Sequence, residues 1–213
     1  MLEGQGARTV IFAGADIPDY EWLKGEVDSS DTLICADSGL RHAHAIGLKP
    51  DIIIGDLDSV DVDILNQYQA CSKIMFDDNQ NATDLMKALS LCDWNKPVHL
   101  YGATGGRADH DFSNILILMN LEHSDDVVMV SKGQTSRVIK HNCIMHGEIG
   151  DYVGLFPLSP VQDFAVQGLM YTPDVLGGPY EFGWNGSCNL MTDKRVLISL
   201  SSGALLVTHA KRH

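Results

Sequence analysis

The chain has 213 residues, of which 45% are hydrophobic and 20% charged, and its formal net charge is −13. This acidic balance, without a run of lysine and arginine, argues against a nucleic-acid-binding surface. No apolar run approaches the roughly eighteen residues that cross a bilayer, and no basic segment followed by an apolar one marks a signal peptide. We therefore expect a soluble protein with neither nucleic acid nor membrane as a partner.

The first part of the sequence alternates short apolar runs with helical patterns. Strands are predicted at residues 9–13, 32–36, 52–54, 73–76, 98–101 and 127–130. Helices are predicted at residues 20–27, 38–46, 62–68, 83–92 and 109–121. This alternation predicts an α/β domain over residues 1–132, with a mainly parallel sheet and helices on both faces. In sheets of this type, ligands bind beyond the carboxyl ends of the strands.

The pattern changes after about residue 132. Short β-type runs such as SRVIKH, YVGLFPL and RVLISL follow, separated by Gly, Pro, Asp and Asn. Because helical periodicity is absent from this part, residues 133–213 are predicted to form a second, all-β domain, either a sandwich or a small barrel.

The cysteines and histidines give neither a disulfide nor a zinc pattern. The five cysteines are scattered, odd in number and without a CxxC pair, which is typical of reduced thiols in a cytoplasmic protein. The histidine pairs His42 with His44 and His141 with His146 have no third ligand nearby, so we expect surface residues there.

Aspartates follow two of the predicted strands. Asp37 lies in CADSG, and Asp51, Asp56 and Asp58 lie in PDIIIGDLDS. In an extended segment, residues two apart share a face, so Asp56 and Asp58 are expected to project together. Like charges this close require a cation, and Mg²⁺ takes carboxylates, waters and substrate phosphates. The alternative is that these are turn and capping aspartates, but several strand-end acids so close in sequence favour a metal–phosphate site.

A glycine-rich loop, YGATGGRADHDFSN, follows the fifth predicted strand and begins a helix. Gly105 and Gly106 let the backbone approach a ligand and direct amides at phosphate oxygens near the helix N-terminus. Arg107 adds a planar cation, and Asp109 and His110 stand in the first helical turn. The alternative is a capped strand–helix turn. The loop matches neither the P-loop nor the GxGxxG pattern, and the protein-kinase motifs are missing from the chain.

A third motif, DDNQNATDLMKAL, begins the predicted helix at residues 83–92. Thr83 is expected to cap this helix, and the helix dipole favours Asp84 in its first turn. If the third and fourth strands are neighbours, Asp84 joins Asp56 and Asp58 around a metal.

Taken in order, the motifs ADSG, PDxxxGDxDS, QNxTD and GxTGGRxDHxxxN resemble the thiamine pyrophosphokinase family. The resemblance implies a Rossmann-like α/β domain for nucleotide and Mg²⁺ over residues 1–132. It implies a β-sandwich domain for thiamine binding and dimerisation over residues 133–213. The implied activity is transfer of a diphosphate from ATP to the hydroxyl of thiamine, with release of AMP. The implied assembly is a homodimer with the site at or near its interface.

The resemblance also implies roles for individual residues. The Mg²⁺ ligands and catalytic acids would be Asp56, Asp58 and Asp84, with Asp37 as a further catalytic acid close by. ATP and its phosphates would be bound by Thr83, Gly105, Gly106, Arg107, Asp109 and His110. Thiamine would be bound by Gln80, Trp184, Ser187 and Asn189. His110 is the nearest candidate proton acceptor, although a carboxylate or water route is equally open.

Two departures from the family pattern leave alternatives open. Gln80 and Asn81 stand where many bacterial members have Lys-Asp, so one expected carboxylate is missing. Cys188 likewise stands where a serine is common in the family. Apart from these departures, a tryptophan such as Trp184, near the end of an all-β domain, is also often a packing residue. The alternative functions are a metal-dependent nucleotide phosphohydrolase, which would need no acceptor, and a non-catalytic nucleotide- or thiamine-binding module.

Overall fold

The computed structural model describes residues 7–70, 72–79 and 81–212. The chain divides into two compact units, one of Met1–Asn114 with Met129–Lys132 and the other of Ile115–Val128 with Gly133–His213. Every residue after Lys132 belongs to the second unit, and the sequence predicts a domain boundary at this position. The second unit also takes Ile115–Val128, which the prediction assigns to the first domain.

The first unit contains a mainly parallel sheet. Its strands are β1 (Thr9–Phe12), β2 (Thr32–Ala36), β3 (Ile52–Gly55), β4 (Lys73–Phe76), β5 (Val98–Tyr101) and β6 (Val127–Ser131). The helices are α1 (Tyr20–Glu26), α2 (Leu40–Ala45), α3 (Val62–Tyr68), α4 (Asp84–Leu89) and α5 (Ala108–Asn120). By the ranges of the two units, the part of α5 after Asn114 and the part of β6 before Met129 are counted with the second unit. The strand order is β6-β5-β1-β2-β3-β4, with parallel pairing from β5 to β4. The predicted α/β class is confirmed.

Burial explains why these strands could be recognised from the sequence. Every residue of β1 and β5 is buried, as expected for strands covered on both faces, and such strands read as continuous apolar runs. Edge strand β4 is only partly buried.

Two predicted helices differ from the structure by more than one residue at an end. The helix predicted at residues 38–46 begins as a 3₁₀ turn over Asp37–Gly39 before α2. Gly39 packs so tightly against β1 that a Cβ there would lie 2.0 Å from the carbonyl oxygen of Phe12. The helix predicted at residues 83–92 ends at Leu89, because the amides of Leu91 and Cys92 bond to carbonyls three residues back.

The second unit is an antiparallel sandwich. Its strands are β7 (Gln134–Ile139), β8 (Cys143–His146), β9 (Tyr152–Pro157), β10 (Ala165–Gln167), β11 (Gly186–Leu190), β12 (Arg195–Ser199) and β13 (Leu205–Ala210). A short helix, α6, covers Pro173–Leu176. The two sheets have the orders β11-β9-β13-β7 and β10-β12-β8, and one apolar core takes residues such as Val153 and Leu205 from the first sheet and Val196 and Ile198 from the second.

The predicted sandwich is therefore confirmed, although β8 and α6 have no counterpart among the predicted elements. Among the described residues, no helix is both long and apolar enough to cross a membrane.

Candidate functional site

The carboxyl ends of β2 and β3 bring three aspartates together. The two strands are parallel neighbours, with Ala36 opposite Ile54, so the turns that follow them begin at the same edge of the sheet. One carboxylate oxygen from each of Asp37, Asp56 and Asp58 lies within 4.8 Å of the others. This arrangement can hold a cation.

The geometry that gathers these carboxylates is a strained turn rather than an extended strand. Strand β3 ends at Gly55, and Leu57 between the two acids has a φ of +60°. Asp37 also lies in the left-handed region, with a φ of +45°. For a bulky residue such as leucine this conformation is costly, and strain of this kind concentrates at functional sites. The predicted convergence of Asp56 and Asp58 is thus present, but its assumed extended geometry is wrong.

Asp37 is a buried acid that lacks a counter-group. The residue is 7% exposed, and its Oδ1 has no hydrogen-bond donor among the described residues. Burial raises the pKa of Asp37, opposed by a hydrogen bond from the backbone of Ser38, and the charges of Asp84, Asp56 and Asp58 raise it further. An orphaned buried oxygen beside like charges is the environment that a divalent cation would compensate.

Asp84 lies next to this cluster. Strands β3 and β4 are parallel neighbours, which is the condition under which the sequence predicts Asp84 to lie near Asp56 and Asp58. Thr83 caps α4, as predicted, by accepting a hydrogen bond of 3.3 Å from the amide of Met86. A Cβ added at Gly55 would lie 3.3 Å from Asp84 Oδ1 and 3.0 Å from Asp37 Cβ. The absence of a side chain at Gly55 therefore leaves room for both acids.

A groove of about 260 Å³ adjoins the cluster in the first unit. Its lining includes Ser38 and Ser59, which follow Asp37 and Asp58 directly in the chain, together with Arg41. The Arg41 guanidinium donates to the carbonyl of Gly14 and to the carboxylate of Asp16, each at 2.7 Å. The rest of its lining includes Leu40, Val60 and Ile64, so the groove is partly apolar.

The glycine-rich loop differs from its predicted phosphate-binding geometry. The amides of Gly105 and Gly106 donate to the carboxylate of Asp111, at 3.0 and 3.4 Å, rather than pointing at open solvent. Asp111, in the first turns of α5, thus accepts hydrogen bonds from the amides that were expected to bind phosphate. Amides near a helix N-terminus have no partner within the helix, and a nearby acid commonly supplies one.

The polar residues that follow these glycines are exposed. Arg107 and Asp109 form an ion pair of 2.6 Å, and the hydrogen bond from Arg107 lowers the pKa of Asp109. His110 is also exposed. These side chains stand at the surface, where a ligand can reach them.

Two of the residues predicted to bind thiamine have structural contacts in the second unit. Trp184 packs edge-on against Phe164 and Tyr180, and its Nε1 donates to the carbonyl of Gly177 at 2.9 Å. Asn189 is buried and exchanges hydrogen bonds with both backbone groups of Tyr171. Both side chains therefore hold this part of the sandwich together.

The other two residues of that set are Ser187 and Gln80. Ser187 is exposed, and its amide donates to the side chain of Asn185. Gln80 lies outside the described residues.

Sequence reasoning missed two buried polar residues near the site. His42 was predicted to lie at the surface, and this is wrong because its ring is fully buried between the carbonyl of Ala15 (2.9 Å) and the hydroxyl of Tyr20 (3.0 Å). Burial, with the nearby charge of Arg41, lowers the pKa of His42 to about 4. Lys87 is buried beside Asp84. A lysine three residues after an acid on one helix was an available signal for this pair.

Comparisons with known proteins agree with the motifs. A family model described as "Thiamin pyrophosphokinase, catalytic domain" matches residues 23–130. Thiamine pyrophosphokinase 1 of Oryza sativa subsp. japonica is 28% identical over 173 residues, covering 72% of this chain and 64% of the rice protein. Thiamine pyrophosphokinase 2 of Arabidopsis thaliana is 28% identical over 178 residues, covering 75% of this chain and 65% of that protein. The chain thus spans less than the full length of these relatives.

Solved structures show the same fold. The crystal structure of thiamine pyrophosphokinase from Bacillus subtilis superposes with a TM-score of 0.80 at 21% identity, covering 98% of this chain and 100% of that one. The crystal structure of yeast thiamin pyrophosphokinase superposes with a TM-score of 0.72 at 16% identity, covering 99% of this chain and 87% of the yeast chain. Because the family model alone matches more than half of the sequence, this chain belongs to the thiamine pyrophosphokinase family, as its motifs predicted.

Proposed function

We propose that this protein is a thiamine diphosphokinase that transfers the terminal diphosphate of ATP to the hydroxyl of thiamine, with release of AMP. The observation that carries the proposal is the convergence of Asp37, Asp56 and Asp58 at the carboxyl edge of parallel strands, in a chain of this family. Ligands of α/β sheets bind at this edge.

The proposed cofactor is Mg²⁺, and the residues present fit it. The donor set is carboxylate oxygen, which suits this hard cation, and the orphaned Oδ1 of Asp37 is a buried acceptor without a donor among the described residues. Asp37, Asp56 and Asp58 would hold the metal, with Asp84 beside them. When bound, the metal would neutralise charge that develops on the phosphate oxygens.

The chain's own side chains would position the two substrates. Arg107 and Asp109 are exposed and would turn toward the phosphates or ribose of ATP, and Thr83, at the start of α4, would also contact the nucleotide. The amides of Gly105 and Gly106 would bind phosphate only if Asp111 releases them. In phosphoryl transfer, positioning and charge neutralisation supply most of the catalysis.

A group that accepts the proton of the thiamine hydroxyl is also required. His110 is exposed at the start of α5 and is our candidate for this role. Thiamine contacts are proposed from Gln80, Trp184 and Ser187. Asn189 would contribute by holding the backbone of Tyr171.

We further propose a homodimer formed through the second unit. Five large apolar side chains within residues 170–182 are exposed, namely Met170, Tyr171, Val175, Leu176 and Phe182. Apolar groups concentrated in this way are typical of surfaces that bind a partner, and the proposed occupant is a second copy of the chain. The mass in solution, measured by light scattering, tests this, and a monomer at micromolar concentration would contradict it.

The proposed location is the cytoplasm. The four described cysteines, Cys35, Cys92, Cys143 and Cys188, are free thiols. Unpaired thiols are typical of a reducing compartment.

The activity is tested by incubating the purified protein with ATP, Mg²⁺ and thiamine and separating the products. We expect AMP and thiamine diphosphate in equal amounts, and only when thiamine is added. ADP or phosphate formed without thiamine would indicate a phosphohydrolase instead. Ligand binding without turnover would indicate a non-catalytic binding module.

A further inference from the structure

Lys87 is a buried lysine beside the acid cluster. Only 4% of its side chain is exposed, although lysine is among the residues least often buried. Its Nζ donates to the carbonyl oxygen of Asp77 at 2.7 Å and to Oδ1 of Asp84 at 3.2 Å. Burying an ammonium group is costly, so these two contacts compensate a large desolvation penalty.

The two partners of Lys87 stand at opposite ends of one loop. Asp77 directly follows β4, and its amide donates to the carbonyl of Gly55 at 2.9 Å. Asp84 begins α4, and its carboxylate lies against Gly55 and close to Asp37. A single ammonium group therefore joins Asp77 to Asp84, and the amide of Asp77 separately bonds to the end of β3 at Gly55.

The described part of this loop is built on side-chain to backbone hydrogen bonds. The amide of Asn79 donates to Asp77 Oδ1 at 2.9 Å, and the amide of Asn81 donates to Asn79 Oδ1 at 3.0 Å. Such turns fix the backbone locally, but their position depends on what anchors their first residue. Asp77 is held in part by Lys87, whose ammonium group donates to the Asp77 carbonyl oxygen.

We propose that Lys87 is a positioning residue, whose ammonium group holds the carboxylate of Asp84 toward the acid cluster and fixes Asp77, at the end of β4, in place. The inference rests on the proposed metal-dependent function. The carboxylate side of the pair is 36% exposed, so without Lys87 it has solvent to turn into. The ammonium group thus supplies the force that keeps this acid facing inward.

Two physical effects of removing Lys87 have opposite signs. Loss of a positive charge beside acidic ligands strengthens cation binding, because the site becomes more negative. Loss of the hydrogen bonds that orient Asp84 weakens cation binding, because a misplaced ligand contributes little. A positioning role requires the second effect to exceed the first.

The test is a titration of the intact protein with Mn²⁺ alone, with free Mn²⁺ followed by electron paramagnetic resonance. Lys87→Met keeps the length and apolar stem of the side chain and removes the ammonium group. The matched control is Lys96→Met, since Lys96 forms an i,i+3 pair with Asp93 at 3.9 Å but is partly exposed. We expect Mn²⁺ binding at least about tenfold weaker in Lys87→Met and unchanged in Lys96→Met.

A second readout separates positioning from general stability. Hydrogen exchange at the amides of Asn79 and Asn81 is expected to become faster in Lys87→Met and to stay unchanged in Lys96→Met. In an Asp84→Asn background, Lys87→Met is expected to cause little further loss of Mn²⁺ binding, because the two residues act as one unit.

Several outcomes would overturn the inference. Unchanged or tighter Mn²⁺ binding by folded Lys87→Met would show that the lysine acts only as a structural or electrostatic group. If Lys87→Met does not fold, Lys87→Gln retains a donor for one partner at a time, and wild-type Mn²⁺ affinity in that variant would contradict the proposal. Failure of the wild-type protein to bind Mn²⁺ would instead count against the metal site itself.

Discussion

Asp37 in the first unit and Asp151 in the second are both buried aspartates, 7% and 4% exposed, but their surroundings are opposite. The carboxylate of Asp151 accepts hydrogen bonds from His209 (2.8 Å) and from the amides of Glu148 and Arg212 (3.0 Å each). Burial alone would raise its pKa, but these donors outweigh burial and lower it. Asp37 instead has an orphaned oxygen, neighbouring acids and a raised pKa.

The difference separates a structural acid from one that we propose to be functional. Asp151 has donors supplied by the fold itself, so its charge stabilises the turn between β8 and β9 and the end of β13. Asp37 has a backbone hydrogen bond from Ser38, but its Oδ1 has no donor among the described residues, so its charge costs stability until a group from outside the chain compensates it.

The largest expected effect is on turnover in the first unit. Asp56→Asn removes a charge from the acid cluster but keeps the shape of the side chain. We expect turnover to fall by about 10³-fold or more, because charge neutralisation at the phosphates is the main catalytic contribution. Thermal unfolding should stay at or above the wild-type temperature, since one repulsion is removed. Near-wild-type turnover in Asp56→Asn would rule out its metal role.

Matched substitutions of the two buried aspartates should change stability in opposite directions. Asp151→Asn presents an amide group to its three donors and should lower the free energy of unfolding by about 2–3 kcal/mol. Asp37→Asn removes an uncompensated buried charge and should raise the free energy of unfolding, since asparagine also tolerates a positive φ. Denaturant unfolding measures both, and a destabilised Asp37→Asn would contradict the comparison.

Divalent cation should stabilise the protein through the cluster. At a Mg²⁺ concentration of about 100 times Kd, a single site that binds only the folded state adds about 2.7 kcal/mol. We expect this gain in the wild-type protein and in Asp151→Asn, and a much smaller one in Asp37→Asn. Thermal unfolding with and without MgCl₂ tests it, with NaCl at equal ionic strength as the control. An equal Mg²⁺ effect in all three proteins would place the cation elsewhere.

The burial of His42 should give a smaller effect, a dependence of the free energy of unfolding on pH. Its pKa is about 4 in the folded protein and 6.5 for an ordinary histidine, so between these values the unfolded state binds a proton that the folded state does not. Stability should therefore fall as the pH decreases from about 6.5 to about 4, by an amount on the order of 2–3 kcal/mol. His42→Gln retains a donor to Ala15 and should remove this contribution. An identical pH slope in the variant would contradict the assignment.

Much of the fold followed from sequence because its signals are local. Apolar runs bounded by turn residues marked β2, α3, β4 and β5 with their observed bounds. The convergence of acids followed from the order of the strands, since neighbouring parallel strands end at the same edge of a sheet.

The remaining features depend on contacts between distant residues. The left-handed turn at Leu57, the burial of His42 and the capture of the Gly105 and Gly106 amides by Asp111 have no local signature. The same holds for Asn189, whose amide is satisfied by the backbone of Tyr171, eighteen residues away in the chain. These features depend on tertiary contacts, which neither hydrophobic periodicity nor secondary-structure propensity encodes.

The measurement that tests the account most directly compares product formation by the wild-type protein, Asp37→Asn and Asp151→Asn below their unfolding temperatures. With ATP, Mg²⁺ and thiamine, the account predicts equal amounts of AMP and thiamine diphosphate from the wild-type protein and Asp151→Asn. It predicts a loss of about 10²-fold or more in Asp37→Asn. Wild-type rates in Asp37→Asn, or AMP formed without thiamine, would contradict the central claim that this uncompensated acid belongs to a diphosphate-transfer site.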